Sequence, residues 1–158
     1  MNKRIVVNTS PFIAWEKMQA LDLIGKLPFD FICPPQVEAE IFAGAAKGYA
    51  VNFPSWVRVL SLNAPLTPLA LANLDAGEAA VIELALEQNI PQVCLDEIKG
   101  RRAALAAGLQ IVGSLGFLAK AKTLGFVSAV RPFVETVQTS GIYYDTKLVE
   151  KFLSGLGE

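Results

Sequence analysis

Short apolar runs alternate with longer stretches of helical period along the whole chain. Arg4–Val7, Phe29–Cys33, Trp56–Leu60, Gln92–Leu95 and Leu109–Val112 read as strands. The segments between and after them read as helices: Pro11–Lys17, a short turn at Leu21–Lys26, Pro35–Ala46, Leu66–Asn73, Ala76–Glu87, Glu97–Ala107, Leu115–Leu124, Ser128–Thr139 and Thr146–Leu156. Strands interleaved with helices in this way predict an α/β fold around a mostly parallel sheet of about five strands.

Local chemistry marks several boundaries. Pro11 behind Ser10 reads as a first-turn proline behind a capping hydroxyl, and Pro35 opens the next long helix in the same way. Gly108, Gly113, Gly125 and Gly141 mark helix ends or turns, and Asn89-Ile90-Pro91 stops the helix begun at Ala76. Ala45 to Pro54 has no clear period and is the expected mobile loop. No repeat or shift of composition divides the 158 residues, so residues 1–158 are read as a single domain. Within it, Val130, Phe133, Val134 and Val137 recur at helical spacing, and 128–158 is expected to form a carboxyl-terminal helical layer on the same core.

Composition sharpens this picture. Hydrophobic residues make up 53% and charged residues 18%, which suits a sheet covered on both faces and leaves apolar surface for a partner. The formal charge is −1, so nucleic-acid contact has to be local rather than through a basic coat. Lys3-Arg4 precedes only three apolar residues before Asn8, too few for a signal peptide, and no apolar run reaches a membrane span. The expected location is the cytoplasm, where Cys33 and Cys94 stay free thiols buried at strand ends.

The sequence has no histidine. That removes the usual Ser-His-Asp and Cys-His nucleophiles and nearly all catalytic zinc sites, leaving carboxylates, hydroxyls, Lys or Arg, and oxygen-ligated Mg²⁺ or Mn²⁺. Ligands of open α/β sheets sit outside the carboxyl ends of the strands. Asn8 and Asp96 fall there, on one edge of a parallel sheet, and the helices carrying Glu38, Glu40, Asp75 and Glu78 bring further acids toward them. Asp75 and Glu78 have capping-box spacing, which assigns Asp75 to the cap. Glu38 and Glu40, two apart, cannot share a helix face; Glu40 borders the packed face of Val37 and Ile41, with Glu38 the runner-up. Asp96 is spaced to cap the helix that follows it.

Four strings, in order, carry a family resemblance: Val7-Asn8-Thr9-Ser10-Pro11-Phe12-Ile13, Pro35-Gln36-Val37-Glu38-Ala39-Glu40-Ile41, Leu74-Asp75-Ala76-Gly77-Glu78-Ala79-Ala80 and Cys94-Leu95-Asp96. Gly100-Arg101-Arg102 and Ile111-Val112-Gly113-Ser114-Leu115-Gly116 extend it. Together they resemble a PIN-like nuclease domain of a little-characterised prokaryotic branch related to toxin–antitoxin ribonucleases. The resemblance implies a three-layer α/β/α fold and a Mg²⁺ or Mn²⁺ site formed by Asn8, Glu40, Glu78 and Asp96. It also implies an RNA substrate, with a cognate antitoxin as protein partner.

Around that site, Arg101 or Arg102 is expected to hold a phosphate, and Thr9, Ser10 and Ser114 offer hydroxyls to substrate or water. Trp15, Trp56, Phe117 and Phe126 are read as core or interface residues. High apolar content and the resemblance both point to a homodimer or a toxin–antitoxin assembly. The chemical complication is Asn8, a neutral amide where the resemblance calls for an acid. The rival reading is therefore a binding module for RNA or protein whose metal site is weakened. A small-molecule phosphotransferase ranks third, since no glycine-rich phosphate loop is present.

Overall fold

The computed structural model describes residues 2–46, 52–140 and 144–158. Five strands, β1 (Lys3–Val7), β2 (Phe29–Cys33), β3 (Val57–Val59), β4 (Gln92–Cys94) and β5 (Gln110–Val112), pair in the order β3-β2-β1-β4-β5. Every pairing is parallel, with Ile5 opposite Phe31 on one side of β1 and Val7 opposite Cys94 on the other. Ile5, Val6 and Val7 are wholly buried, as a central strand covered on both faces requires.

The helices are α1 (Thr9–Lys17), α2 (Leu21–Gly25), α3 (Pro35–Ala46), α4 (Pro68–Leu71), α5 (Ala76–Glu87), α6 (Ile98–Ala106), α7 (Ser114–Thr123), α8 (Arg131–Thr139) and α9 (Thr146–Gly155). In one layer α1, α2 and α7 pack together; α5 lies against β1 and β4 with α4 and α6 beside it, and α3 touches both α1 and α5. This is a three-layer α/β/α fold. Trp15 is its aromatic hub, edge-on to Phe12 and Phe117 at centroid distances of 5.7 and 5.6 Å. Val134, Val137, Val149 and Leu153 belong to the same buried cluster, so α8 and α9 add to this core.

Some boundaries differ from the sequence reading. The first helix starts at Thr9, with extended Asn8 as its N-cap residue, so Pro11 sits in the third helical position and Ser10 caps nothing. The expected Leu66–Asn73 helix shrinks to Pro68–Leu71 because Thr67 accepts from Ala70 N and fixes the start. Arg131 rather than Ser128 begins α8. Gly108, at φ +85°, and Asn89, at φ 54°, take the left-handed conformation that ends α6 and α5. Of the expected mobile loop, Ala45 and Ala46 complete α3, whereas 47–51 and Gly141 lie outside the described residues.

Cys33 and Cys94 are buried and unbridged. Burial, reinforced by the charge of Glu38, pushes the Cys33 thiol up to about 12. Burial also raises Cys94 well above its ordinary value. Neither forms a thiolate near neutrality.

A carboxylate clamp fastens the last helices. Glu158 accepts from Val130 N and Arg131 N, each at 2.9 Å, and from Lys122 Nζ at 2.9 Å. It thereby supplies the oxygen that Val130, the N-cap residue of α8, lacks. Desolvation opposes its ionisation, but these hydrogen bonds and the Lys122 charge prevail and lower Glu158 from 4.5 to about 2. A lowered carboxylate stabilises the fold above its unfolded value and loses that contribution as pH falls through the folded one. Stability should therefore drop between pH 4.5 and about 2, by about 1 kcal/mol after solvent screening. Urea midpoints across that window check this against Glu158→Gln, whose acid-side loss should be smaller.

Candidate active site

The chain passes from β1 outward through β2 to β3, then returns across the sheet to β4 and outward again to β5. The reversal puts a topological switch point between β1 and β4, where an open parallel sheet leaves a crevice beyond its strand ends. Asn8 follows β1 and Asp96 lies just beyond β4, and Asn8 N donates to Cys94 O at 3.1 Å across the gap.

Four acids around these strand ends each have one oxygen held. Thr9 Oγ1 donates to Glu40 Oε2 at 2.5 Å. Asp75 N donates to Glu78 Oε1 at 3.3 Å within an intact capping box. Ser114 N donates to Asp96 Oδ1 at 2.7 Å, and Ser10 Oγ to Glu97 Oε1 at 3.0 Å. Asn8 is 3% exposed and Glu78 4%, yet Asn8 Oδ1 and Glu78 Oε2 have no hydrogen-bonding partner. The Asn8 side chain makes no capping bond, so its amide oxygen remains available. A buried acceptor without a donor is costly unless something else satisfies it.

Glycines make room for these groups. A Cβ on Gly77 would strike the Glu40 carboxylate, and one on Gly113 would strike the Arg101 guanidinium and stand 3.2 Å from Asp96 Oδ1. A Cβ on Gly100 would lie 2.9 Å from Glu78 Oε2. Gly77 and Gly100 both sit inside helices, where glycine costs about 1 kcal/mol relative to alanine, and that cost is the sequence signal of a close approach.

The electrostatics follow from burial. Desolvation raises Glu78, the Asp75 backbone hydrogen bond opposes the rise, and the charges of Asp75 and Glu97 add to it. Asp96 is also raised by desolvation, with its Ser114 hydrogen bonds and Arg101 pulling down and Glu97 pushing up. Arg101 is anchored through Nε to Leu95 O at 2.9 Å, which leaves its Nη groups near Asp96 and Gly113.

Contacts thus link Glu40 to Thr9, which follows Asn8, Glu78 to the Gly100 position, and Arg101 to the Gly113 position beside Asp96. Glu40 reaches Thr9 and Gly77, whereas the charge of Glu38 is felt at Cys33. Asp96 does not cap α6, whose N-cap residue is Glu97; it receives the first amide of α7 instead. Ser114, expected to offer its hydroxyl to substrate or water, has its polar groups engaged within the fold. It is wholly buried, with its amide on Asp96, its carbonyl accepting from Trp15 Nε1 at 3.1 Å and its hydroxyl 2.9 Å from Tyr144 Oη. Thr9 and Ser10 donate their hydroxyls to Glu40 and Glu97. Arg102 departs from Arg101 and lines a groove between α5 and α6 with Ile82, Glu83, Lys99 and Ala103.

Glu97 and Tyr144 are the residues that sequence reasoning missed. Burial holds the Tyr144 phenol at about 12, the Ser114 hydrogen bond lowering it and the charges of Asp96 and Cys94 raising it. No periodicity flags either contact, since Ser10 and Glu97 lie 87 positions apart and Ser114 and Tyr144 lie 30 apart.

The side chains here offer oxygen, the donor a hard divalent cation takes, and two of those oxygens are buried without a partner. Among the described residues no three acidic or thiol side chains stand close enough to hold an ion unaided.

An α/β/α fold with a topological switch point in its parallel sheet defines a class of domain whose ligands sit at strand ends. Residues 4–158 match the family DUF3368, described as PIN domain, and the chain belongs to that family, with its nuclease-type fold. No curated protein is significantly similar to the chain. Among the described residues no helix is long and apolar enough to cross a membrane.

Proposed function

We propose that this protein is a metal-dependent endoribonuclease that hydrolyses RNA phosphodiester bonds, acting as the toxin of a toxin–antitoxin pair. The observation that carries the nuclease reading is the pair of buried, partnerless oxygens, Asn8 Oδ1 and Glu78 Oε2, in a crevice bordered by carboxylates tied at one oxygen each. The toxin role and its antitoxin partner rest on family membership.

In this reading Glu40, Glu78 and Asp96 would hold Mg²⁺ or Mn²⁺ through carboxylate oxygens, and Asn8 would add its amide oxygen. When bound, such an ion supplies Lewis acidity toward phosphate and acidifies the attacking water. The chain's own residues do the rest. Thr9, the amide of Asp75 and the amide of Ser114 each fix one oxygen of an acid, so the other is presented without conformational searching. Arg101, immobilised on Leu95 O, directs its Nη groups to phosphate charge beside Asp96.

The test is cleavage of single-stranded RNA by pure protein with Mn²⁺ or Mg²⁺, compared with Asp96→Asn. The variant keeps an oxygen for Ser114 N but removes the charge, and activity should fall by about a hundredfold or more. A second reading, a binding module with a muted site, is favoured by the neutral amide at Asn8 and the unclosed shell. Equal activity of the two proteins, or none in either across several RNAs and metals, would decide for it.

A further inference from the structure

α5 is apolar on almost every side. Glu78, Glu83 and Glu87 are its only polar residues, and two of them are engaged, Glu78 in the capping box and Glu87 with Asn63 N and Ala64 N at 2.8 and 3.4 Å. A helix apolar all round belongs inside a core. Yet Ile82, Glu83 and Leu86 line an open groove between α4 and α6, where Leu86 is exposed. Across it α6 presents one stripe of basic and small side chains, Lys99, Arg102, Ala103 and Ala106. Among the described residues the one ion pair joins Lys122 to Glu158, so Glu83, Lys99 and Arg102 share a groove without a salt bridge.

Bulk and negative charge on one helix, small side chains and positive charge on its neighbour, make a surface complementary to itself. α5 leads into β4 and α6 leaves it, and a Cβ on Gly100 would lie 2.9 Å from Glu78 Oε2, so the two helices start level and run side by side in one direction. Only a two-fold axis along the groove then lays α5 of one copy over α6 of another. In that pose Ile82 and Leu86 sit on Ala103 and Ala106, and Glu83 and Arg102 differ by about 5 Å along the axis, within reach of an arginine side chain. The flanks agree. The same rotation carries α4, with Leu69 86% exposed, to the outer side of α6, where Leu105 is 62% exposed. We propose that this groove is the interface of a two-fold homodimer, in which α5 of each copy packs against α6 of its partner. The assignment is independent of any chemistry at the strand ends.

Sedimentation velocity of the full chain at concentrations up to about 100 µM tests it with two charge reversals, Glu83→Lys and the pair Lys99→Glu with Arg102→Glu. Wild type should sediment as a dimer. Each reversal alone should associate about a hundredfold more weakly or worse, because like charges then face each other across the axis. An equimolar mixture of the two should recover the dimer, since both contacts of the mixed pair join opposite charges. Ala106→Glu, a bulky charge at an exposed position of the alanine stripe, should also release monomer. None of these residues caps a helix or is fully buried, so circular dichroism of every variant should match wild type. A wild type that stays monomeric throughout overturns the proposal and leaves the groove to a different protein. Dimers that persist in both reversals place the interface elsewhere and overturn it as well. A loss that mixing fails to repair overturns the packing of α5 on α6.

Discussion

Glu78→Gln should abolish divalent-cation binding and cleavage, by about a hundredfold or more, while leaving the fold intact. Glutamine keeps an oxygen for the Asp75 amide, so the capping box that starts α5 survives. What disappears is the charge on a carboxylate whose second oxygen is buried without a partner. The same substitution should alter stability against pH. Burial, with the charges of Asp75 and Glu97, raises Glu78 above 4.5, and Asp96 is raised above 3.8. Between its unfolded and folded values each raised carboxylate binds more protons in the folded state. Stability of the cation-free protein therefore falls as pH rises through that interval. Glu78→Gln removes one of the two contributions, and urea midpoints from pH 4 to 8 without divalent ions should fall less than in wild type. Mn²⁺ should restore wild-type stability at neutral pH and leave the variant unmoved. Identical slopes in the two proteins would show that Glu78 ionises without cost.

Trp15→Ala should be the most damaging core substitution, costing about 3–5 kcal/mol by cavity formation. Trp15 is wholly buried, packs edge-on against Phe12 and Phe117, and donates Nε1 to Ser114 O. A domain has only about 5–15 kcal/mol of stability in total, so the alanine variant should be largely unfolded at moderate temperature. Trp15→Phe keeps most of the apolar volume and loses the hydrogen bond, and should cost about 1–2 kcal/mol. Denaturation followed by circular dichroism separates the two. Ser114 N holds Asp96, so Trp15→Phe should also weaken Mn²⁺ binding while remaining folded. An unchanged affinity in a folded Trp15→Phe protein would show that the core does not steady the site.

The three spans Phe29–Cys33, Pro35–Ala46 and Ala76–Glu87 are where reading and structure coincide residue for residue. Their limits are local: a proline opens α3, an Asp-to-Glu capping box opens α5, and left-handed Asn89 ends it. The place of Asn8 at a strand end is legible in the sequence, but hydroxyl followed by proline is a local signal that points to Ser10 as the cap. The structure instead uses Ser10 on Glu97 and Thr9 on Glu40. Arg101 and Arg102 show the same division. Adjacent in sequence, they project differently from α6, one toward Asp96 and the other into the α5–α6 groove, and composition cannot distinguish them.

By itself the sequence determined the inventory and its punctuation. A chain without histidine, with Asn8 and Asp96 closing apolar runs, restricts any metal chemistry to hard oxygen donors at strand ends. Periodicity and capping residues place those ends because they act over a few neighbouring positions. Tertiary structure decided which oxygen of each acid is held, which glycines make room, that Glu97 takes the Ser10 hydroxyl and that Ser114 is sealed inside. These outcomes depend on hydrogen bonds between groups as far apart as Trp15 and Ser114, 99 positions distant. Their directions exist only once the parallel sheet has brought the strand ends side by side.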